Sequence, residues 1–332
     1  MSLACRGEVP LVALVSLSAA ILVTTATSGV QAQSYPTRPL RLIVPFPPGG
    51  GADFLSRVLG PKLTESWGQS VIVDNRGGGS GVIGVEIAAR AAPDGYTLLF
   101  GDVGTLSINP YIFSKLPYEP LRDFQAITKI ADIPLTCAAH PSLRVSTLKE
   151  LIAAAKNKSV DILYSSAGNG SMTHLAAELL GRRAGVTFTH VPFKGGGLAL
   201  NALLSNQVNL LCMTTSSLKP HVQAGRVTAL AISTAQRSPA MPDLPTVAEQ
   251  GYPGYESTQW VGLLAPRDTP MFIVAKLHAE FVRILNLADV RERLTSSGAE
   301  PVSNTPAAFT AQIRADGEKF GKLAAEIGLR LD

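Results

Sequence analysis

An α/β fold in two domains is predicted from three features of the sequence. Beyond residue 32 the chain repeats a short β-rich apolar run, a Gly-rich turn and a segment of helical periodicity. That alternation arises when helices cover the strands of mostly parallel sheets. The stretch from Gln33 to Asp332 is long enough for two domains of roughly 150 residues, each with its own core. Finally, the tail after the last apolar run is almost all helix and has no strands of its own to pack on. It must return to the first domain, so the chain crosses between domains twice, near residues 134 and 261. These crossings divide it into 33–134 plus 262–332 and 135–261.

Residues 1–32 read differently. Arg6 sits in a short polar start, Leu11 to Val23 is almost unbroken apolar, and small residues lead to Val30-Gln31-Ala32. An apolar run of roughly 13 residues falls short of the ~20 that span a bilayer, and the ending suits a signal peptidase, so export with cleavage after Ala32 is expected. Leu3-Ala4-Cys5 precedes the apolar run instead of following it, which excludes a lipid anchor at that cysteine. Cleavage leaves Cys137 and Cys212 on separate apolar stretches. Their spacing does not decide a disulfide, and two buried free thiols are the expected state.

In chain order, Leu40 to Phe46, Ser70 to Asp74 and Thr97 to Gly101 read as strands, with helices at Asp53 to Ser66 and Val82 to Ala92. Leu55, Val58, Leu59 and Leu63 share one face of the first helix. A Pro-rich connection from Asn109 to Pro120 leads to a second block. Its strands are Leu135 to Ala139, Asp161 to Ser165, Thr187 to Val191, Val208 to Met213 and Ala229 to Ser233. Trp260 to Ala265 is the last apolar run. The tail ends in a helix from Ala307 to Ile327, with Thr305 as N-cap and Pro306 in the first turn.

Three Gly-rich turns run from strand into helix: Val44 to Gly51, Ser165 to Ser171 and Val191 to Gly197. Glycines let backbone approach a ligand, and the free N–H groups of a first helical turn suit a carboxylate or phosphate. Such turns fall beyond the carboxyl ends of strands, where ligands sit in open α/β sheets. Any one of them is ordinary α/β punctuation. Three of them, divided between two domains, predict a cleft lined from both sides.

Other chemistries find little support. Gly79-Ser80-Gly81-Val82-Ile83-Gly84 matches the dinucleotide fingerprint, and Asp102 lies about 20 residues on. However, Asp74-Asn75-Arg76 and two further glycines separate it from the strand, which loosens the turn that the fingerprint needs. No cofactor is expected. Ser171 and His174 are three residues apart at a helix start and form the sole hydrolase candidate; a hydrogen-bonded or ligand-contacting His174 is the competing reading. His190 and His221 have no neighbours at ligand spacing, so no metal site is indicated. Net charge is +4 with a pI near 9.0, but Lys and Arg are scattered with no basic stripe, which argues against nucleic acid.

An ordered set of short strings resembles a known family. Tyr35-Pro36, Arg38-Pro39, Ile43-Val44-Pro45-Phe46-Pro47 and Gly49-Gly50-Gly51-Ala52-Asp53 are similar to the start of the Bug family of tripartite tricarboxylate transporter receptors. The match continues through Gly68-Gln69, Asn75-Arg76, Pro93-Asp94-Gly95-Tyr96-Thr97-Leu98 and Asp123-Phe124, then His174-Leu175, His190-Val191-Pro192 and Lys194-Gly195. It ends in Pro242-Asp243, Pro245 to Glu249, Pro253-Gly254-Tyr255, Trp260 and Ala265-Pro266.

The resemblance implies a type II-like, two-domain periplasmic binding protein fold that closes on a small carboxylate, held by backbone N–H groups, small hydroxyls and waters. Carried onto this sequence, it places Phe46, Gly49, Gly50 and Asp53 at the site, with Ser80 and Thr105 from the same domain. Ser165, Ser166, Asn169, His174, Phe193, Lys194 and Gly195 face them from the other. It also implies a periplasmic receptor that docks on inner-membrane permease subunits; a sensor partner is the alternative, and a monomer is the default expectation. Gly77 stands where a proline often follows Asn-Arg, Phe193 where tyrosine is usual, and Asn209 where an aspartate is common. The kind of carboxylate stays open between dicarboxylates, tricarboxylates, aromatic acids and acidic amino acids.

Overall fold

The computed structural model describes residues 35–331; the expected leader and its cleavage point after Ala32 lie outside the described residues. In chain order the first part contains β1 (Leu40–Val44), α1 (Gly51–Trp67), β2 (Val71–Asn75), α2 (Val82–Ala89), β3 (Thr97–Asp102), the short helices α3 (Asn109–Ile112) and α4 (Pro120–Asp123), and β4 (Phe124–Ile133). Next come β5 (Leu135–Ala139), α5 (Leu148–Lys156), β6 (Leu163–Ser166), α6 (Met172–Ala184), β7 (Thr189–Pro192), α7 (Gly196–Leu204), β8 (Leu210–Thr214), α8 (Thr215–Gln223) and β9 (Thr228–Ile232). The chain closes with β10 (Gln259–Pro266), α9 (Met271–Leu285), α10 (Ala288–Ser296), β11 (Glu300–Pro301) and α11 (Pro306–Glu326). Among the described residues, no helix is long and apolar enough to cross a membrane.

Two sheets result, ordered β11-β4-β10-β3-β1-β2 and β7-β6-β8-β5-β9, within one compact unit from Pro36 to Asp332. The chain passes from the first to the second at Pro134 and is back by Gln259, which pairs with Ile133. β1 lies between β2 and β3 with both faces covered, which is why Leu40, Leu42, Ile43 and Val44 form a near-continuous apolar string. On α1, Leu55, Val58, Leu59 and Leu63 are all buried, and the helix ends at Gly68, whose φ of 66° is left-handed. Thr305 caps α11 by accepting from the Ala308 N–H at 3.2 Å.

Three expectations are corrected. The sheets are mixed: β1 to β3 run parallel and β6 runs parallel to β7 and β8, but β4 and β10, flanking the two passages between sheets, are antiparallel to their neighbours. β4, not predicted at all, is a ten-residue strand. Its Thr128, Lys129 and Asp132 break the alternation, yet they fit the sheet because Lys129 Nζ pairs with Asp132 at 2.9 Å and Asn304 bonds both Thr128 and Lys129. The tail also contributes a strand after all, since β11 pairs with Asp132 and Ala131.

Cys137 and Cys212 are joined by a disulfide, not free. They face each other across the antiparallel β5–β8 pair, a register that the spacing in sequence could not show. Asn209 explains itself: its Oδ1 accepts from Leu163 N–H at 2.9 Å while its Nδ2 donates to Asp161 O at 3.0 Å. An ionised aspartate has no donor for the second bond.

Candidate functional site

A cavity of about 310 Å3 lies beyond the carboxyl ends of β1, β3 and β6. Phe46, Ser80, Asp102, Gly104, Asn109 and Ile112 line it from loops of the first sheet, with Gln259 from β10 and Leu331 from the end of the chain. The β6–α6 turn supplies Ala167 to Thr173 from the second. A larger opening of about 720 Å3 between α8 and α10 gathers none of the predicted residues.

The β6–α6 turn is shaped by hydrogen bonds from its own small side chains. Ser171 caps α6: its Oγ accepts from His174 N–H at 3.3 Å and donates to Gly168 O at 2.6 Å. Thr173 Oγ1 accepts from Ala167 N–H at 2.8 Å, and Ser166 Oγ accepts from Gly168 N–H at 3.1 Å. Gly168 and Gly170 have φ of 132° and 76°, which side-chain-bearing residues rarely adopt. Behind the turn, His174 stacks on His190 with centroids 4.1 Å apart, and His190 stacks on Tyr164 at 4.7 Å. His174 Nδ1 accepts from Gly170 N–H at 3.2 Å. Burial, and then the neighbouring His190, lowers the His174 pKa to about 4, so the ring is neutral and its proton sits on Nε2.

This arrangement corrects the hydrolase candidate. The Ser171 hydroxyl meets the backbone N–H of His174, not its imidazole, and the ring nitrogen facing the turn is occupied by Gly170. No base is placed on the hydroxyl, and the pair is a helix cap.

On the other wall, a π-helical turn from Gly104 to Ile108 follows β3. Thr105 donates to Asp102 Oδ1 from both its N–H (2.9 Å) and its hydroxyl (2.8 Å). Burial nevertheless holds the Asp102 carboxyl above its usual range. Tyr118 donates to Thr105 O at 2.8 Å, and Asn109 Nδ2 donates to Ser80 O at 3.0 Å and to the Tyr118 hydroxyl at 3.2 Å. Phe46 is fixed by Asn75, whose Nδ2 donates to its carbonyl at 3.1 Å.

The glycines of the apparent dinucleotide fingerprint have a packing role. A Cβ on Gly84 would come within 2.7 Å of both Pro45 Cα and Arg76 O, and one on Gly81 within 2.5 Å of Thr105 Cγ2. Only glycine lets α2 sit this close to the turn that presents Phe46. Gly84→Ala must displace backbone, so we expect it to cost about 1–3 kcal/mol and to weaken ligand binding by moving Pro45 and Phe46. Thermal melts and ligand titration check this; a variant with wild-type melting and affinity contradicts it.

Of the residues predicted for the site, Phe46, Ser80 and Asn169 line the cavity. Thr105, Ser166 and His174 stand behind the lining and hold Asp102, Gly168 and Gly170. Ser165 ties β6 to α7 through Ala199 O. Gly49, Gly50 and Asp53 lie on the adjacent first turn, outside the lining. There Asp53 accepts from Gly49 N–H and Arg57, each at 2.9 Å; burial pushes its carboxyl up, but these bonds outweigh it and keep the pKa low. Phe193, Lys194 and Gly195 lie against the cavity turn, with Phe193 and Gly195 donating to Ser166 O and Ala167 O. Asp102, Asn109, Thr173 and Gln259 line the cavity without having been predicted. The position of Asp102 at the carboxyl end of β3 was the available signal.

The chain matches the family model TctC, described as tripartite tricarboxylate transporter family receptor, over residues 55–329. Protein BugT of Bordetella pertussis is 35% identical, with 95% of this chain and 98% of BugT covered. Among solved structures, an R. palustris protein with adipate superposes with a TM-score of 0.77 at 35% identity, covering 89% of this chain and 99% of its own. MatC from Rhodopseudomonas palustris with bound malate superposes with a TM-score of 0.73 at 33% identity, covering 87% and 99%.

Proposed function

We propose that this chain, which belongs to the tripartite tricarboxylate transporter receptor family, captures a small carboxylate in the cavity between its two sheets and delivers it to inner-membrane permease subunits. As a member of that family it is a solute receptor and not an enzyme. The observation that carries the reading is a cavity of about 310 Å3 walled by loops from both sheets, with the capped start of α6 in one wall. Relatives solved with adipate and malate support a carboxylate as the ligand.

In this reading the sheets are the cores of two hinged domains, 33–134 plus 262–332 and 135–261, with the hinge at Pro134 and just before Gln259. Phe46, Ser80 and Asn169 touch the ligand directly. Gly49, Gly50, Asp53, Phe193, Lys194 and Gly195, on neighbouring turns, meet it as the domains close. Thr105, Ser165, Ser166 and His174 hold these turns in place. Closure requires that the ligand bind the closed state better than the open one, since equal affinity shifts nothing. The N-terminal leader motif and relatives described as periplasmic support a periplasmic location, where the receptor acts as a monomer.

A thermal-shift screen tests this directly. The leader-free protein is unfolded, stripped of any carried ligand and refolded, then melted with a panel of mono-, di- and tricarboxylates. An acid at 100 times its Kd is expected to add about 2.7 kcal/mol of stability, and one chemical class should stand out. A panel in which no acid raises the melting temperature overturns the reading.

A further inference from the structure

The segment after α11 supplies part of the cavity wall. At its start, Arg182 of α6 donates to Glu326 O at 3.2 Å. Gly328, with a left-handed φ of 67°, turns the chain back, and Leu329 N–H closes the helix end on Ala324 O at 2.8 Å. Leu331 then lies parallel to Phe113: its N–H donates to Ile112 O at 2.6 Å, and its carbonyl accepts from Ser114 N–H at 3.3 Å. Backbone bonds thus fasten the segment to a loop of the first sheet. It also reaches the cavity turn of the second. A Cβ on Gly170 would lie 2.7 Å from Ile112 Cδ1, 3.6 Å from Leu331 Cδ1 and 3.9 Å from Leu329 Cδ2, so glycine at this position leaves room for all three side chains.

Ile112 and Leu331 therefore form one apolar patch in the cavity wall. Among the described residues, the side chains of Ser80, Asn169 and Gln259 line the same cavity without bonding to any other protein group. A ligand's polar head satisfies such groups, while its methylenes gain by covering leucine and isoleucine. We propose, on the carboxylate reading above, that Leu331 is a specificity residue: with Ile112 it limits the length of methylene chain that the cavity accepts. A chain that is too short leaves the patch uncovered. One that is too long meets a side chain whose backbone is bonded through both its N–H and its carbonyl and has no room to withdraw. Each methylene buried on the patch is worth about 4-fold in affinity, and one too many costs about 10-fold or more.

The test measures affinities by calorimetry on the refolded, leader-free protein for two straight-chain series, acetate to octanoate and malonate to suberate. In whichever series binds, the wild type should show an optimum length. Leu331→Ala is expected to move that optimum to acids about one or two methylenes longer, raising the longer acid's affinity relative to the wild-type optimum about 10-fold. Leu331→Phe should move it the other way. Leu329 touches the Gly170 turn but does not line the cavity, so Leu329→Ala should weaken every length alike. That control separates a limit on length from general support of the turn. An optimum that stays put in both Leu331 variants, or shifts equally in Leu329→Ala, overturns the role of Leu331 and leaves the receptor reading standing. Binding confined to acids outside the straight-chain series does the same. No binding by these acids or by the panel above overturns the receptor reading and this role with it. Should one Leu331 variant fail to fold, the other decides.

Discussion

Reducing the Cys137–Cys212 bridge is expected to remove about 4 kcal/mol from the stability of the second sheet and its helices. The two cysteines are separated by 75 residues and lie fully buried on adjacent antiparallel strands. The segment they enclose contains α5, β6, α6, β7 and α7, and therefore the whole of the cavity turn from Ala167 to Thr173. Cross-linking a loop of this length removes conformational freedom from the unfolded chain, worth about 4 kcal/mol in the chain-entropy picture. Two buried thiols would fill nearly the same volume, so the loss arises mainly in the unfolded state, not in native packing. Urea unfolding of the oxidised protein and of the Cys137→Ala, Cys212→Ala double variant should show the difference. Far-UV circular dichroism is the appropriate probe, because Trp67 and Trp260 both belong to the first sheet and its helices. Protein exported by the cell should also yield no free thiol before denaturation and reduction. Two titratable thiols in the freshly isolated, unfolded chain would contradict the bridge.

The contrast between what the sequence reveals and what it hides follows from how each feature is encoded. β1, β3 and β5 are nearly continuous apolar strings bounded by turns because both faces are covered, and α1 and α11 carry their caps and apolar faces in plain view. β4 is hidden because its polar residues are neutralised by groups far away in the chain, such as Asn304, and no local pattern reports a partner 175 residues off. The direction of β4 and β10 is likewise a property of the passages between sheets, not of the strands' own composition. In the site, the Gly-rich turns announce where backbone approaches the cavity, and Phe46 and Asn169 lie on two of them, whereas Ser80 comes from the family resemblance. Asp102 and Gln259 lie at strand ends beside no such turn, and their place in the wall depends on which strands become neighbours. Ser166, Thr105 and His174 sit among the lining residues in sequence but hold the lining in space.

His174 carries the second large expectation, an acid-side loss of stability of about 2–3 kcal/mol between pH 6.5 and 4.5. Its pKa in the folded protein is lowered from 6.5 to about 4, first by burial and then by the stacked His190. Above pH 6.5 the ring is neutral in both the folded and the unfolded chain and contributes no pH dependence. As pH falls below 6.5 the unfolded chain takes up a proton that the folded one refuses, so stability drops, and the loss levels off near pH 4 once the folded ring is protonated too. One pKa unit is worth about 1.4 kcal/mol, which sets the size of the effect. Burial lowers the pKa of His190 as well, so it acts in the same direction. The functional consequence follows from a single bond: a protonated ring cannot accept from Gly170 N–H, and the turn that walls the cavity loses its brace. His174→Asn supplies an amide oxygen for that bond and cannot titrate in this range. Unfolding free energies measured from pH 7 to 4 should therefore fall less steeply in His174→Asn than in the wild type, and ligand affinity at pH 5 should hold up better. Parallel pH profiles for the two proteins would assign the acid sensitivity to other groups, His190 and the carboxylates among them, and remove His174 from this role.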